Sequence, residues 1–161
     1  PALLALDAEV VLMSEKGTRV VALGDFFIGP GKTLLDPDEL LAEISIPLPK
    51  GKSVFLKLGR RQAMTLSIVN VADCLEMEGR KCRRAKIAMG SVAPTPIRCP
   101  RAEMMLIDQE IGPELISKCA GEAMAMSKPL DDQRAKAWYR VQAGEVLLKR
   151  ALLQAAGLRD D

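Results

Sequence analysis

The chain has 161 residues, a formal net charge of +2 and no histidine; 48% of its residues are hydrophobic and 3% are aromatic. This length fits one domain, or one domain with an appendage. The near balance of charge disfavours a dedicated nucleic-acid binder, which usually carries a clear basic excess. The absence of histidine excludes Ser–His–Asp and Cys–His triads, histidine-ligated metals and imidazole acid–base chemistry. Any reaction must use carboxylates, lysine, cysteine, backbone groups or a bound cofactor. We assign no catalytic residue and no metal ligand.

The four cysteines, Cys74, Cys82, Cys99 and Cys119, form no C-x-x-C pair, so neither a zinc ribbon nor a ferredoxin-type cluster is supported. We expect free thiols in a reducing cytoplasm, with Cys74 and Cys119 in the core. No apolar run reaches the roughly 18–20 residues needed to span a membrane, and no signal peptide is visible. These observations predict a cytoplasmic protein. Residues 1–7 read like the middle of a longer sequence, so we expect a fragment.

The first 50 residues are predicted to be rich in β-structure. Alternating apolar residues on both sides of the turn at Lys16-Gly17 indicate a hairpin. A Gly-Pro-Gly loop and a further strand follow. The predicted elements are the end of a helix at residues 2–6 and strands at 8–13, 18–23 and 40–46. The segment 47–51, rich in proline, glycine and lysine, is the best candidate for a domain boundary.

The rest of the chain is predicted to be three strands followed by three helices. Strands at 54–58, 66–76 and 85–92 are predicted to form an antiparallel sheet. Its open face must be buried against another layer of secondary structure. Helices are predicted at 101–106, 113–126 and 133–156, with Asp131-Asp132 as a cap for the last one. The apolar face of that helix is expected to contain Trp138, Val141, Leu148, Leu152 and Ala155. The fold class is α+β.

Three short patterns invite a function but have simpler explanations. Gly31-Lys32-Thr33 lacks the first glycine of a phosphate-binding loop, because position 26 is Phe. The basic cluster at residues 80–84 has no interleaved aromatic residue, so a solvated hairpin tip is a better interpretation than nucleic-acid contact. The acidic pairs Asp131-Asp132 and Asp160-Asp161 are a helix cap and a tail, not a catalytic dyad.

Lys57 lies in the most distinctive stretch, VFLKLGRRQAMTLSIVNVAD. Strand alternation places it on the same face as Phe55, with Leu56 and Leu58 on the other. A lysine beside an aromatic ring is either a surface residue lying over the ring or a charge directed into a cleft. The neighbouring Arg60 and Arg61 are most simply structural ion-pair partners or contacts to an adjoining domain.

Two groups of sequence strings resemble one known family. The first is residues 2–49, with FFIGPGKT followed by DELLAEISIP; the second is FLKLGRRQAMTLSIVNVA, IAMGSVAPTPIRCPRAE and AWYRVQAGEVLLKRAL. Together they are similar to the C-terminal part of the FAD-binding, or medium, subunit of the xanthine dehydrogenase and carbon monoxide dehydrogenase family of molybdenum hydroxylases. The resemblance covers nearly the whole chain, and its specificity rests on the combination of strings.

The resemblance implies two domains. Residues 1–50 would be a small β-rich remnant of the FAD-binding domain, and residues 51–161 the flavoprotein C-terminal domain, with a three-stranded antiparallel sheet on a three-helix layer. Members of the family pass electrons from a molybdenum cofactor through two 2Fe-2S clusters to FAD, and then to NAD or another acceptor. Carried over residue by residue, Leu41 matches a strand residue that contacts the flavin, and Lys57 matches a lysine that approaches the isoalloxazine edge.

The resemblance also implies what this chain lacks. The family's FAD pyrophosphate is held by glycine-rich loops that precede the matched region, and backbone amides there carry most of the phosphate binding. We therefore expect weak or no FAD binding and no activity from this chain alone. Two functions stay open: an oxidoreductase piece that forms one wall of the flavin site, and a non-catalytic assembly domain that docks the iron–sulfur and molybdenum subunits.

Overall fold

The computed structural model describes residues 1–61 and 63–158, so the predicted tail at Asp160-Asp161 lies outside the described residues. The first part of the chain is β-rich, as the sequence predicts. Its strands β1, β2 and β5 form an antiparallel sheet in the order β2-β1-β5, and β3 and β4 form a small hairpin. The elements are α1 (Ala2–Ala5), β1 (Glu9–Ser14), β2 (Gly17–Ala22), α2 (Leu23–Phe26), β3 (Phe27–Gly29), β4 (Lys32–Thr33) and β5 (Leu40–Ser45).

The second part is an antiparallel sheet covered on one face by three helices, which confirms the α+β class. The sheet order is β6-β7-β8-β9, and the two-residue strand β9 is an addition to the three predicted strands. The elements are β6 (Lys52–Gly59), β7 (Ser67–Glu78), β8 (Lys81–Gly90), β9 (Ile97–Arg98), α3 (Pro100–Leu106), α4 (Pro113–Ala125) and α5 (Ala137–Ala155). In the described part of the chain, no helix is long and apolar enough to cross a membrane.

The main core lies between this sheet and the helices. Alternate residues of the central strand β7, among them Val69 and Val71, face the helices and are fully buried. Opposite them pack apolar residues of α4 and α5, such as Ile116 and Leu152. Prolines lie in the first turns of α3 and α4. The backbone N–H groups of a first turn have no acceptor within the helix, so proline, which lacks an N–H, loses nothing there, and this explains where these helices begin.

A second, smaller core covers the other face of the sheet. Ala72 of β7 and Ala88 of β8 are paired across the strands and pack against the first part of the chain. Their small side chains leave room for α1, whose Leu4 and Ala5 are buried there. The two parts of the chain therefore share an apolar contact at the centre of the sheet.

The last helix differs from its prediction at its start and on one face. It begins at Ala137, because the acidic residues before it are used in a turn: Asp132 Oδ1 accepts hydrogen bonds from the Arg134 and Ala135 amides. Asp131 Oδ1 accepts a hydrogen bond from the Ala137 amide, but the N-cap residue of the helix is Lys136 and not one of the two predicted aspartates. Trp138, predicted to face the core, is 63% exposed. The buried positions of the helix run instead through Arg140, Gly144, Leu148, Ala151, Leu152 and Ala155.

Candidate functional site

Lys57 stands on the face of β6 that points away from the helices. It is exposed, as is Phe55 at 50%, while Leu56 and Leu58 are partly buried against the main core. The predicted alternation is confirmed. Lys57 lies opposite Asn70 of β7, near the end of β6, and this strand is the edge of its sheet. The ammonium group is therefore held at a sheet corner, on the same face as the packed N-terminal part.

The loop after β6 folds back beside the Lys57 ammonium. Lys57 Nζ donates to the Thr65 carbonyl oxygen at 3.4 Å, and the Arg60 amide donates to Thr65 Oγ1 at 3.2 Å. The loop returns so closely that an added Cβ at Gly59 would lie 2.4 Å from Thr65 Cγ2, so a larger residue there would force the Thr65 side chain to shift. Lys57 thus lies between a rigid strand and a loop that bends over the end of that strand.

Arg60 and Arg61 have structural roles, and the side-chain hydrogen bonds found for them in the described part of the chain go to carbonyl oxygens. Arg60 Nη2 donates to the Gln133 and Arg134 carbonyl oxygens at 2.8 and 2.7 Å, and Arg61 Nη2 donates to the Met64 carbonyl oxygen at 2.8 Å. Among the described residues no ion pair forms at either arginine: the acceptors are backbone groups of the turn before α5 for Arg60, and the Met64 carbonyl of the same loop for Arg61. Arg60 connects the loop after β6 to that turn.

Leu41 lies in β5, on a different sheet from Lys57. It pairs with Leu12 of β1 and is 39% exposed. All six residues of β5 are exposed, and the strand forms the edge of its sheet, so apolar side chains such as Leu40 and Ile44 meet solvent there. An edge strand with several exposed apolar side chains is typical of a surface that another element or a ligand covers. The role of Leu41 in a flavin site stays a prediction.

One cleft opens between the two parts of the chain, and neither Leu41 nor Lys57 lines it. Its volume is about 200 Å³. It lies on the same face of the sheet as Lys57 but about four residues further along the strands, near Cys74 and Lys86. The structure therefore does not bring the two predicted flavin contacts together in this cleft. It holds them on separate sheets that meet through α1.

Charged side chains fix how the two parts of the chain meet. Arg98 of β9 donates to Asp7 Oδ1 at 2.7 Å and to both oxygens of Glu103, at 2.8 and 2.9 Å. Lys86 Nζ lies 3.0 Å from Asp7 Oδ2. Burial works to raise the pKa of Asp7, but hydrogen bonds from Lys86 and Arg98 hold that pKa below its usual value. No local spacing predicts this network, because Asp7 and Glu103 are 96 positions apart.

A buried arginine anchors the turn before α5. Arg140 is 3% exposed and donates to the Ile68 carbonyl oxygen at 2.6 Å and to Asp132 Oδ1 at 2.7 Å. Hydrogen bonds from Arg134 and other donors hold the pKa of Asp132 below its usual range. Asp132, read from sequence as part of a cap, is also the counter-ion of a buried guanidinium.

Asp73 is the one buried carboxyl group without such support among the described residues. It is 1% exposed, and neither oxygen has a hydrogen-bond partner in residues 1–61 and 63–158. It lies on the helix-facing side of β7, between Val54 and Ile87 on the adjacent strands. Burial raises the pKa of Asp73 to about 7, although the nearby Val54 amide and the charge of Lys52 act to lower it. Its position inside the core argues for an effect on stability and against contact with a ligand.

The remaining sequence candidates have structural explanations. Lys32-Thr33 forms a strand that pairs with β3, so the phosphate-loop geometry is absent there. The cluster at 80–84 is a hairpin tip, where Arg83 lies between Glu78 and Asp108. Cys82, Cys99 and Cys119 are buried free thiols, whereas Cys74 is only partly buried, contrary to prediction. Among the described residues, no group of His, Cys, Asp or Glu could hold a metal ion.

Comparison with known proteins gives two family matches that follow each other along the chain. Residues 1–49 match the FAD binding domain in molybdopterin dehydrogenase, and residues 54–155 match the CO dehydrogenase flavoprotein C-terminal domain. The second match covers more than half of the 161 residues. The predicted domain limits at residues 50 and 51 stay a prediction.

Individual proteins agree with these matches. The chain is 32% identical over 155 residues to the glyceraldehyde dehydrogenase medium chain of Sulfolobus acidocaldarius, covering 96% of this chain and 55% of that one. It is 32% identical over 157 residues to the carbon monoxide dehydrogenase medium chain of Afipia carboxidovorans, covering 96% and 54%. The chain thus spans about half the length of these relatives.

Solved structures show the same fold. A Cu,Mo-CO dehydrogenase structure superposes with a TM-score of 0.92 at 32% identity, over 98% of this chain and 56% of that one. Quinoline 2-oxidoreductase from Pseudomonas putida 86 gives a TM-score of 0.90 at 28% identity, over 96% and 54%. The fold and the matches define the class: flavoprotein subunits related to molybdenum-containing dehydrogenases. Within that class, the chain belongs to the CO dehydrogenase flavoprotein C-terminal domain family, as its sequence strings predicted.

Proposed function

We propose that this chain is part of the FAD-binding subunit of a molybdenum hydroxylase and forms one wall of its flavin site. In the complete enzyme, an oxidoreductase, electrons would pass from 2Fe-2S clusters through FAD to NAD or another acceptor. The iron–sulfur and molybdenum centres would belong to partner subunits or domains. The observation that carries the proposal is the consecutive match to the two flavoprotein domains, together with the exposed Lys57 at the sheet corner.

The residues present fit the isoalloxazine ring better than the pyrophosphate. The exposed apolar side chains of β5 offer a surface for a flat ring, and the exposed Lys57 of β6 offers a positive charge. Among the described residues, glycines with positive φ lie in turns between strands or after α5, not before a helix. A helix N-terminus behind such a turn is the usual cradle for a pyrophosphate. That part of the site would come from the rest of the subunit.

FAD, when bound, supplies the electron-accepting chemistry. This chain would adjust how readily the flavin is reduced and would shield one side of its ring from water. Lys57 would favour electron uptake, because reduced flavin carries negative charge near N1 and a fixed cation stabilises that charge. Leu41 would exclude water from one side of the ring. The buried contact between α1 and the sheet, together with the Arg98 network, would fix the position of the first part of the chain relative to the sheet that carries Lys57.

A test in the complete subunit assembled with its partners uses Lys57→Met, with Lys118→Met on the exposed surface of α4 as the control. We expect Lys57→Met to slow acceptor reduction several-fold while assembly stays intact, and Lys118→Met to change neither. Equal turnover in all three proteins would refute a role of Lys57 at the flavin.

One observation favours the second function, assembly. Trp138 is 63% exposed at the start of α5, in edge-to-face contact with Tyr139 at 5.8 Å between ring centroids. Exposed tryptophan and tyrosine residues are frequent centres of protein–protein interfaces. If α5 docks a partner subunit, Trp138→Ala should weaken association at least about tenfold. Unchanged association, measured by light scattering of the mixed subunits, would remove this role.

We also propose a cytoplasmic location. The three buried cysteines with free thiols support it, because paired disulfides would be expected in an oxidising compartment.

A further inference from the structure

We propose that a pocket next to Lys57 binds a diphosphate group. The pocket, called here the arginine pocket, has a volume of about 330 Å³ and is lined by Arg60, Arg61, Thr65, Leu66, Ile68 and Arg134. This assignment goes beyond the proposed flavin wall, and binding of the anion does not depend on what Lys57 does. The two proposals can therefore fail separately.

An excess of positive charge among the described lining residues is the first argument for an anion. Three guanidinium groups line the pocket, and none of the lining residues that the structure describes is acidic. The hydrogen bonds of Arg60 and Arg61 go to neutral carbonyl oxygens, which hold the side chains without cancelling their charge. Arg134 is paired with Asp132, but the same carboxylate also serves the buried Arg140. The pocket keeps a net positive charge.

The arginines are also held in place. Arg60 binds two consecutive carbonyl oxygens of the turn before α5, and its own amide binds Thr65 Oγ1. Arg134 is oriented by Asp132 at 2.8 Å through Nε. A guanidinium has five N–H donors, and among the described residues the bonds found for Arg60, Arg61 and Arg134 use one or two nitrogens of each side chain. Donors already positioned around a cavity lower the entropy cost of binding an anion.

The shape and lining select the class of anion. Arginine forks match the paired oxygens of phosphate groups, and three of them exceed what one carboxylate can use. Leu66 and Ile68 add an apolar side to the pocket, where a flat ring attached to the phosphates could lie. Thr65 lines the pocket and also accepts the Lys57 hydrogen bond. A free pyrophosphate and the diphosphate of a nucleotide acceptor share this chemistry.

The test is isothermal titration of this chain with sodium pyrophosphate, with NADH and, as a phosphate-free probe, with nicotinamide riboside. We expect saturable binding of at least one diphosphate that weakens as NaCl is added. Arg61→Ala is the main variant, because the one hydrogen bond described for its side chain is local to the loop. It should weaken binding about tenfold, and Arg61→Lys should recover only part of it, because lysine keeps the charge without the fork.

Arg101→Ala is the matched control, because Arg101 is an exposed arginine of α3 outside the pocket. It should leave binding unchanged, and circular dichroism should be the same for all variants. NADH binding more tightly than pyrophosphate identifies a nucleotide as the source of the diphosphate, and equal binding identifies the free anion. Absence of binding at millimolar concentration, binding unaffected by Arg61→Ala, or equal binding of the riboside overturns the proposal.

Discussion

Replacing Asp73 with Asn should remove a pH dependence from the stability of this chain. The carboxyl group is 1% exposed in the main core, without a hydrogen-bond partner in the described residues, and its pKa is raised from 3.8 to about 7. Between these two values the folded chain holds a proton that the unfolded chain releases. The free energy of unfolding therefore falls as the pH rises, and the fall ends once the pH passes about 7.

The size of the effect follows from the pKa difference. A shift of about three units corresponds to about 4 kcal/mol, at about 1.4 kcal/mol per unit. The contribution of Asp73 to the free energy of unfolding is fully present below about pH 4 and is lost as the pH approaches about 7. Asn has nearly the same shape but no charge, so Asp73→Asn should match the wild type near pH 4 and exceed it by several kcal/mol at pH 8.

The assay is urea unfolding at pH values from 4 to 8, followed by circular dichroism, with the slope of each transition compared. Asp38→Asn is the control, because Asp38 is half exposed and pairs with Lys16 on the surface. Asp38→Asn should keep the wild-type pH dependence. If Asp73→Asn loses stability between pH 4 and 7 as steeply as the wild type does, Asp73 is not the titrating group and the reasoning fails.

Three further predictions concern the loop, the buried arginine and the cofactor. Gly59→Ala should lower the free energy of unfolding by about 1–3 kcal/mol, since its Cβ would meet Thr65, whereas Gly121→Ala, with open space around it, should not; urea unfolding compares them. Asp132→Asn should lower the free energy of unfolding, because it leaves Arg140 buried without a charged counter-ion, and a loss no larger than that of Asp38→Asn would contradict this. Titration of this chain with FAD, followed by flavin fluorescence, should show no micromolar binding, and a yellow protein with stoichiometric flavin would refute that expectation.

Local periodicity was enough to predict most of the fold. The hairpin of β1 and β2, the strands β6 to β8 and the face of Lys57 follow from alternation between neighbours, which does not depend on distant contacts. The helices after Pro100 and Pro113 follow from a residue that favours a first helical turn. Strand β9 could not be found in this way, because two residues carry no period and their pairing with β8 depends on the folded sheet.

Three residues show how strand and helix period relates to burial: Trp138, which was predicted to face the core and is exposed, and Asp73 and Arg140, which are buried and for which no prediction of burial was made. Asp73 continues the alternate series of Val69 and Val71, so strand period alone places it in the core. Arg140 lies four residues before Gly144, on the buried stripe of α5, and the helical period includes it although its charge argues against it. Trp138 is hydrophobic but lies off that stripe. For these three residues, the periodicity of the strand or helix predicts burial better than the polarity of the side chain does.

The candidate site was predictable only in part. The exposed position of Lys57 was readable from its strand, but the loop that returns to it depends on contact between Gly59 and Thr65. The partners of Arg60 lie more than 70 positions away, and no sequence spacing gives them. Leu41 was assigned to the flavin site from the family resemblance alone. It is exposed because β5 is an edge strand that no other described part of the chain covers.

The central claim is that Lys57 stands at the flavin, and the midpoint potential of FAD in the complete subunit tests it most directly. Loss of one nearby cation should lower the potential of Lys57→Met by about 20 mV, which corresponds to about 1 kcal/mol for a two-electron couple. The control Lys118→Met should keep the wild-type value. A potential for Lys57→Met equal to that of the wild type, with FAD fully bound, would contradict the account.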